Sequence, residues 1–221
     1  MRVSEIFGPT IQGEGPSSGR VASFVRLMGC NLSCSWCDTP WTWDATRFDL
    51  KAEGRTMSPL TVATDVPRTP LVVITGGEPT LQRADLDELV GLLIDRGQRV
   101  EIETNGSQPW QQLPAGARYN VSPKLLNAGM GPTSMESLYG YANDLAAAFK
   151  FVVQSVADLD EVSEMVSTLA VAECNVWVMP EGTTAEDIQR HGALVADVAI
   201  QRGFNVTTRQ HVMLWGNTRG R

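Results

Sequence analysis

Residues 24–39 read FVRLMGCNLSCSWCDT, a stretch that joins an apolar strand to a cluster of thiols. Its first residues belong to the β-branched run Val21–Leu27, which predicts a buried strand. Its second half places Cys30, Cys34 and Cys37 within eight residues, while Cys174 stands alone. The stretch therefore predicts a strand that leads directly into a metal-binding or redox-active loop.

The composition of the whole chain is that of an ordinary globular domain: 221 residues, 43% hydrophobic, 19% charged and a net charge of −7. We expect one domain over residues 1–221, with residues 216–221 as a flexible tail. The acidic balance argues against general nucleic-acid binding, and no apolar run approaches the ~20 residues of a membrane span. Because no apolar signal segment follows Met1, we expect a cytoplasmic protein with no membrane partner.

Short β-branched runs recur along the chain and predict a mostly parallel sheet that is covered on its faces. After Val21–Leu27 the predicted strands are Leu71–Thr75, Arg99–Glu103, Tyr119–Val121, Phe149–Val153, Asn175–Met179 and Phe204–Thr207.

Helical periodicity is clear in only three segments, Asp85–Arg96, Asp158–Leu169 and Thr184–Arg202. No crossover helix is expected between residues 103 and 119, where the link holds two prolines, and residues 41–70 show no clear period. A complete eightfold barrel usually takes ~250 residues, so the pattern predicts an incomplete, helix-poor (β/α) barrel. In the third helix, the residues expected to face inward are Ile188, Leu194, Val195, Val198 and Ala199.

Polar or glycine-rich motifs follow four of the predicted strands. In parallel α/β architectures the carboxyl ends of the strands carry the ligands, so these motifs predict one large site. They are TGGEP at 75–79, ETNG at 103–106, SPK at 122–124 and PEG at 180–182.

The spacing of the three cysteines leaves several chemistries open. Disulfides are disfavoured, because the chain has no export signal and is long enough to fold without them. A structural zinc site would need His191, His211 or Cys174 as a fourth ligand, and an iron–sulfur cluster normally takes four cysteines. Three local thiolates without a fourth would leave one iron of a cubic cluster free to bind something else.

That spacing resembles the signature of the radical S-adenosylmethionine superfamily, and further motifs narrow the resemblance to one family. IQGEG at 11–15, FVRLMGCNLSCSWCDT at 24–39, TGGEP, ETNG and SPK occur in the order typical of 7-carboxy-7-deazaguanine synthases. The resemblance implies a pared-down barrel of the radical S-adenosylmethionine type. It also implies a lyase that converts 6-carboxy-5,6,7,8-tetrahydropterin to 7-carboxy-7-deazaguanine and ammonia in queuosine-type 7-deazapurine biosynthesis.

The same resemblance implies a [4Fe–4S] cluster, S-adenosylmethionine and magnesium, with the radical supplied by the cofactor rather than by a catalytic side chain. Cys30, Cys34 and Cys37 would hold the cluster, and the hydroxyl of Thr39 would bind magnesium. Glu78 would face the ammonium group of S-adenosylmethionine, and Gly76 with Gly77 would let the backbone approach it. The other residues implied to contact this cofactor are Trp36, Cys37, Asp38, Glu103, Ser122, Pro123 and Lys124. Trp41 and Trp43, together with Trp36, would shield the cluster.

Substrate contacts are implied for the loop Ile11, Gln12, Gly13 and Glu14, and for Thr75 and His211. Arg26 can be argued from its position: it lies in an apolar strand, where a guanidinium is costly to bury without an anion. The substrate carboxylate is one candidate partner, through two parallel hydrogen bonds, and an internal Asp or Glu is the other.

The C-terminus departs from the family, because Gln210-His211-Val212 lacks the usual lysine and a basic extension follows. Two other functions remain open: a glycyl-radical activase and a non-catalytic zinc-binding module.

The resemblance further implies a homodimer and a flavodoxin- or ferredoxin-type electron donor. Cys174, before an apolar strand, is expected to behave as a small hydrophobe.

Overall fold

The computed structural model describes residues 1–221, and its nine strands form one sheet in the order β3-β1-β2-β4-β5-β6-β7-β8-β9. The seven strands from β2 to β9 in this order are parallel, and β1 runs antiparallel to β2 and β3. The strands are β1 (Arg2–Ile11), β2 (Val21–Leu27), β3 (Arg55–Thr56), β4 (Leu71–Gly76), β5 (Arg99–Thr104), β6 (Ala117–Val121), β7 (Ala148–Val153), β8 (Val176–Pro180) and β9 (Asn205–Val206).

Six α-helices connect or flank these strands. Only α2, α4 and α5 are longer than eight residues, and they link β4 to β5, β7 to β8 and β8 to β9. The sheet does not close on itself, so the predicted incomplete, helix-poor barrel is confirmed. The helices are α1 (Pro59–Asp65), α2 (Arg83–Asp95), α3 (Met135–Ala142), α4 (Val156–Leu169), α5 (Ala185–Gln201) and α6 (Gln210–Trp215).

Alternating residues of each parallel strand face two different environments, because successive side chains point to opposite sides of a sheet. In β7, Phe149, Phe151 and Val153 belong to a buried cluster of 35 hydrophobic residues, to which the helices contribute. Lys150 and Val152 of the same strand line a cavity on the other side. The sheet therefore separates an apolar outer layer from a polar interior.

All seven predicted strands and all three predicted helices are confirmed, with bounds that shift by up to two residues. The link 105–116 holds no helix, as expected. Two details are wrong: Leu194, expected to face inward on α5, is 57% exposed, and Cys174 is exposed in the turn before β8 rather than buried. The elements that periodicity did not predict are β1, β3, α1, α3 and α6.

The segment after β1 packs against the interior side of the sheet. A short 3-10 turn, Gly15–Ser17, lies against β7 and β8, and the Gly15 amide donates to the hydroxyl of Thr207 at 3.0 Å. The hydroxyl of Ser17 donates to Glu101 of β5 at 2.5 Å. This segment therefore packs across the interior of the barrel, in contact with β5, β7 and β8.

No helix of the chain is both long enough and apolar enough to cross a membrane.

The two unlike faces of α5 give a test of this packing. Ile188 is 3% exposed, so Ile188→Ala should lower the free energy of unfolding by about 2–5 kcal/mol, because it leaves a cavity against the sheet. Leu194→Ala on the exposed face is the matched control and should change it by less than ~0.5 kcal/mol. Urea unfolding followed by circular dichroism measures both values. Equal losses in the two variants would contradict the observed orientation of α5.

Candidate active site

One large cavity, partly open to solvent, lies at the carboxyl ends of the parallel strands. Most residues that the sequence selected for the site line it, whereas Gly13, Glu78 and Pro123 do not. The structure therefore brings together motifs that are far apart in the chain. The predicted site residues in the lining are Ile11, Gln12, Glu14, Arg26, Cys30, Cys34, Trp36, Cys37, Asp38, Thr39, Thr75, Gly77, Glu103, Ser122, Lys124 and His211.

The cysteine loop begins where β2 ends, and all three of its thiols reach the cavity. Burial raises the pKa of Cys30 to about 11 and also raises the pKa of Cys34, so without a bound metal these thiols are protonated at neutral pH. The indole N–H of Trp43 donates to the sulfur of Cys37 at 3.3 Å. Trp43 thus covers one thiol, and its expected role in shielding a cluster stays a prediction.

The donor set suits an iron–sulfur cluster better than a single ion. No group of three or more His, Cys, Asp or Glu side chains is arranged around one point as a mononuclear site requires. A cluster does not need such convergence, since its thiolates bind different irons. Neither His191 nor Cys174 lines the cavity, so two of the three proposed fourth zinc ligands are elsewhere. The residues present therefore fit a three-thiolate cluster.

Gly76 and Gly77 hold the end of β4 against the start of the cysteine loop. A Cβ on Gly77 would lie 1.9 Å from the carbonyl oxygen of Gly29, and one on Gly76 would lie 2.1 Å from that of Leu27. Gly76 also has a φ of +140°, which side-chain-bearing residues rarely adopt. The missing side chains therefore make room for the backbone that leads to Cys30. Both glycines also line the cavity, and their expected role in letting the backbone approach a cofactor stays a prediction.

Glu78 is fully buried, with both carboxylate oxygens occupied by protein donors. One oxygen accepts from the amide and hydroxyl of Thr80 and, at 2.8 Å, from the hydroxyl of Thr104; the other accepts from the Asn105 amide at 2.6 Å. The carboxylate of Glu78 does not line the cavity, and it joins the TGGEP and ETNG loops. Its expected contact with an ammonium group stays a prediction.

Two of the SPK residues form a local unit beside the cysteine loop. The ammonium of Lys124 donates to the carbonyl and hydroxyl of Ser122, at 2.8 and 3.0 Å, and lies 5.5 Å from the centre of the Trp36 ring. The indole N–H of Trp36 donates to the carbonyl of Asn127 at 3.1 Å. Ser122, Lys124 and Trp36 thus form one continuous wall, whereas Pro123 does not line the cavity.

Thr39 follows the loop directly, and its hydroxyl is not used by the turn that it begins. The residue is 8% exposed and makes no side-chain capping hydrogen bond. Its hydroxyl has one weak contact, 3.8 Å from the sulfur of Cys37. A capping role in this turn therefore does not account for the hydroxyl of Thr39, and the residue lines the cavity.

Arg26 lines the cavity and also has an internal anionic partner. Its Nε donates to Glu5 of β1 at 2.8 Å, and the guanidinium lies 5.8 Å from the centre of the Phe7 ring. The internal carboxylate, one of the two partners expected for this residue, is therefore present, and a contact with the substrate carboxylate stays a prediction. Glu5 uses the inner nitrogen, whereas the two terminal nitrogens have no hydrogen-bond partner in the chain and remain able to grip a carboxylate.

A row of alternating charges crosses the floor of the cavity. Arg209 contacts Asp38 and donates to Glu14 at 3.0 Å; Lys150 donates to Glu14 at 2.5 Å and to Glu103 at 2.8 Å. The order of charges is therefore Asp38, Arg209, Glu14, Lys150 and Glu103, and we call this set the charged row.

The charges in the row shift one another's pKa values, and burial opposes these shifts. Burial alone raises the pKa of Glu14, but Lys150 and Arg209 outweigh it and hold that pKa well below its usual range. Burial likewise favours neutral Lys150, yet Glu103 and Glu14 raise its pKa. For Glu103, burial is the stronger effect, so its pKa is raised despite Lys150. Lys150 thus has a large electrostatic influence on both carboxylates.

His211 approaches the row from the C-terminal segment. Burial lowers the pKa of its imidazole, so the ring is neutral at neutral pH and can donate one hydrogen bond and accept another. A Cβ on Gly13 would lie 2.0 Å from Nδ1 of His211, which explains why a glycine stands there: the loop and the imidazole pack too closely for a side chain. Gly13 therefore places His211 rather than lining the cavity itself.

Sequence reasoning missed Lys150 and Arg209. Lys150 had a detectable signal, since a lysine between Phe149 and Phe151 in an apolar strand is costly to bury without an anion. Arg209 had no comparable signal in the sequence, because its position depends on how the chain returns to the barrel after β9. Arg209 is 6% exposed and donates to the carbonyl of Gly182 at 2.7 Å, which ties the C-terminal segment to the PEG loop.

The residues after α6 return toward β1. Arg219 forms ion pairs with Glu5 and Glu53, and its guanidinium lies 4.6 Å from the centre of the Trp41 ring. Arg221 lines the cavity. The flexibility expected of residues 216–221 stays a prediction.

A helix-poor parallel barrel with a three-cysteine loop at the carboxyl ends of its strands defines a radical S-adenosylmethionine enzyme. In agreement, residues 25–131 match the family model described as "Radical SAM superfamily". The 7-carboxy-7-deazaguanine synthases of Pyrobaculum aerophilum and Hyperthermus butylicus are 40% and 36% identical to the chain. These alignments cover 100% and 97% of this chain, and 97% and 92% of the relatives. The chain therefore belongs to the 7-carboxy-7-deazaguanine synthase family.

Solved structures agree with this assignment. QueE from Escherichia coli has a TM-score of 0.72 at 27% identity, over 95% of this chain and 94% of that one. Streptococcus suis SuiB bound to S-adenosylmethionine has a TM-score of 0.50 at 17% identity, over 82% of this chain and 44% of that one. The second likeness shows the shared barrel fold alone.

The three thiols and the remote cysteine make a direct comparison possible. Replacing Cys30, Cys34 or Cys37 by Ala should remove most bound iron and the visible absorbance of the reconstituted protein, because each thiolate holds one part of the cluster. Cys174→Ala, an exposed site away from the cavity, is the control and should retain both. Loss of iron from Cys174→Ala equal to that of the other three would contradict the three-ligand model.

Proposed function

We propose that the protein converts 6-carboxy-5,6,7,8-tetrahydropterin to 7-carboxy-7-deazaguanine and ammonia, using a [4Fe–4S] cluster, S-adenosylmethionine and magnesium. The observation that carries the proposal is the convergence of the three thiols, Arg26 and the charged row on one cavity. A cavity of this composition offers an anion-binding guanidinium, carboxylates that accept hydrogen bonds and a site for a cluster. The name shared by the full-length relatives supports the same reaction.

The wall beside the cysteine loop is the proposed cofactor site. When bound, the cluster and S-adenosylmethionine supply the radical chemistry, which no side chain of the cavity can supply. Cys30, Cys34 and Cys37 hold the cluster and exclude water together with Trp43. Ser122 and Lys124 form the adjoining polar wall and are proposed to orient S-adenosylmethionine. Glu103 and Asp38 approach from opposite ends of the charged row.

The proposed substrate site lies between Arg26 and the loop after β1. A pterin has a carboxylate on one side and an amide-like edge of N–H donors and acceptors on the other. Arg26 suits the carboxylate, since its terminal nitrogens are free of internal partners. Gln12, Glu14 and neutral His211 suit the opposite edge, because they provide both acceptors and donors. Ile11 and Thr75 complete this part of the lining.

Arg26→Lys tests substrate recognition separately from radical generation. Lysine keeps the charge but loses the planar fork, so the change should cost about 2–4 kcal/mol of transition-state binding. That cost corresponds to a roughly 30- to 1,000-fold fall in kcat/KM. Iron content and slow cleavage of S-adenosylmethionine without substrate should be unchanged.

The matched control for Arg26→Lys is Glu5→Gln, which removes the internal ion pair but keeps the guanidinium. It should have a smaller effect on kcat/KM, because the terminal nitrogens remain in place. An equal loss in Glu5→Gln would show that Arg26 acts through its structural pair. Normal kcat/KM in Arg26→Lys would remove Arg26 from the substrate site.

Thr39 is the proposed protein ligand of magnesium. Magnesium usually keeps several waters or substrate oxygens and needs few protein ligands, so one hydroxyl suffices. Thr39→Val keeps the shape and removes the oxygen, so turnover should need several-fold more magnesium while the cluster spectrum stays intact. Wild-type protein treated with chelator provides the reference. An unchanged magnesium dependence in Thr39→Val would exclude this hydroxyl as a ligand.

The proposal includes a homodimer, a flavodoxin- or ferredoxin-type electron donor and a cytoplasmic location. The family resemblance implies all three of these properties. A one-electron donor is needed because nothing else in the cavity can reduce a cluster, and a free small-molecule substrate needs no nucleic-acid or membrane surface.

The deciding experiment incubates anaerobically reconstituted protein with S-adenosylmethionine, dithionite, magnesium and 6-carboxytetrahydropterin. Mass spectrometry should detect 7-carboxy-7-deazaguanine, and omission of any component should abolish it. Cleavage of S-adenosylmethionine without deazapurine formation would contradict the proposed substrate and favour an activase. A colourless, iron-free protein after reconstitution would favour a zinc-binding module.

A further inference from the structure

Lys150 is a buried cation to which the resemblance assigns no role. It is 3% exposed and lies on the interior side of β7, so little water can hydrate its charge. Its ammonium donates to Glu14 at 2.5 Å and to Glu103 at 2.8 Å. Such a group is stable only while both anions remain in place.

The two partners of Lys150 belong to different halves of the proposed site. Glu14 follows β1 and belongs to the proposed substrate loop, whereas Glu103 ends β5 and belongs to the proposed cofactor site. The other Glu103 oxygen accepts from the amides of Gln12 at 3.0 Å and Asn120 at 2.9 Å. Lys150 is thus the side chain through which the loop after β1 and the end of β5 share one set of ionic contacts.

The remaining contacts show why Lys150 is not replaceable by its neighbours. Arg209 holds the opposite oxygen of Glu14 but does not contact Glu103. Without Lys150, Glu14 and Glu103 would face each other as two buried carboxylates, which repel unless one takes a proton. Repulsion would move one of these carboxylates, and protonation would neutralise it. Arg209 would still hold the loop after β1 near the barrel.

We propose that Lys150 is a positioning residue that fixes Glu14 relative to Glu103 and so aligns bound substrate with the cofactor. The inference rests on the proposed function. Misalignment has a specific consequence in radical chemistry: S-adenosylmethionine is still cleaved, but the 5′-deoxyadenosyl radical takes a hydrogen atom from the protein or from the added reductant instead of from the substrate, and ends as 5′-deoxyadenosine. Loss of Lys150 should therefore uncouple cleavage of S-adenosylmethionine from product formation instead of lowering both equally.

The test compares Lys150→Met with wild-type protein and with Lys51→Met, an exposed lysine outside the cavity. The measured quantities are 5′-deoxyadenosine formed per deazapurine, the KM for 6-carboxytetrahydropterin, iron content and cluster absorbance. In Lys150→Met the ratio of 5′-deoxyadenosine to product should rise at least tenfold and KM should increase, with iron and absorbance unchanged. Lys51→Met should match the wild type.

Two further variants keep the test decisive if Lys150→Met folds poorly. Lys150→Arg keeps the charge with a different shape and should recover part of the coupling. Lys150→Met with Glu103→Gln removes one of the two facing carboxylates, so it should be more stable to urea than Lys150→Met and yet remain uncoupled. A double variant that regained wild-type coupling would overturn a positioning role for Lys150.

The possible results separate this inference from the proposed function. If the wild type forms deazapurine and Lys150→Met keeps the wild-type ratio, the inference is overturned and the function stands. An equal fall in 5′-deoxyadenosine and product, with no change in ratio, would show a purely structural role and also overturn it. If the wild type forms no deazapurine, the proposed function fails and the inference fails with it.

Discussion

The interior of this barrel must neutralise its own charges, and that constraint shapes the site. Lys150 and Arg209 are almost completely buried, and each lies between two carboxylates. A buried charge is tolerated only with an anion at hydrogen-bonding distance, so the segments that carry these anions cannot move independently. The loop after β1, the end of β5, strand β7, the cysteine loop and the C-terminal segment are therefore held in one arrangement by ionic contacts.

This constraint explains how a barrel with few helices keeps an ordered interior. The sheet has unlike faces: its outer side packs under α2, α4 and α5, and its inner side carries charged and polar groups. The interior receives little ordering from packing, since apolar residues are a minority in the cavity lining. Directional hydrogen bonds order the interior instead. Glu78 shows the same principle at the rim, where one carboxylate joins two strand-end loops.

Sequence periodicity predicted the strands and helices that bury a continuous apolar face. It missed β1, whose residues are mostly half-buried and follow no strict alternation, and α1, which has only seven residues. The short helices α3 and α6 were missed for the same reason. Such elements form because tertiary contacts favour them, and a single sequence carries little trace of those contacts.

The site was predictable to the extent that its residues are local in sequence. The thiol spacing and the strand-end motifs located the cavity, because parallel strands bring their carboxyl ends to one edge. Contacts between distant segments were not predictable. Glu78 and Arg26 show the limit: the sequence identifies both as unusual, but only the fold shows that Glu78 faces protein donors and that Arg26 divides its nitrogens between Glu5 and the cavity.

The division of Arg26 between two partners follows from the antiparallel position of β1. Because β1 pairs with β2, Glu5 lies directly opposite Arg26 across the strand pair and reaches its inner nitrogen. The carboxylate thereby orients the guanidinium without occupying its terminal nitrogens. Glu5 also accepts from Arg219, so the C-terminal segment contacts the same carboxylate that orients Arg26. A strand outside the parallel barrel thus connects the C-terminal segment to the proposed anion site.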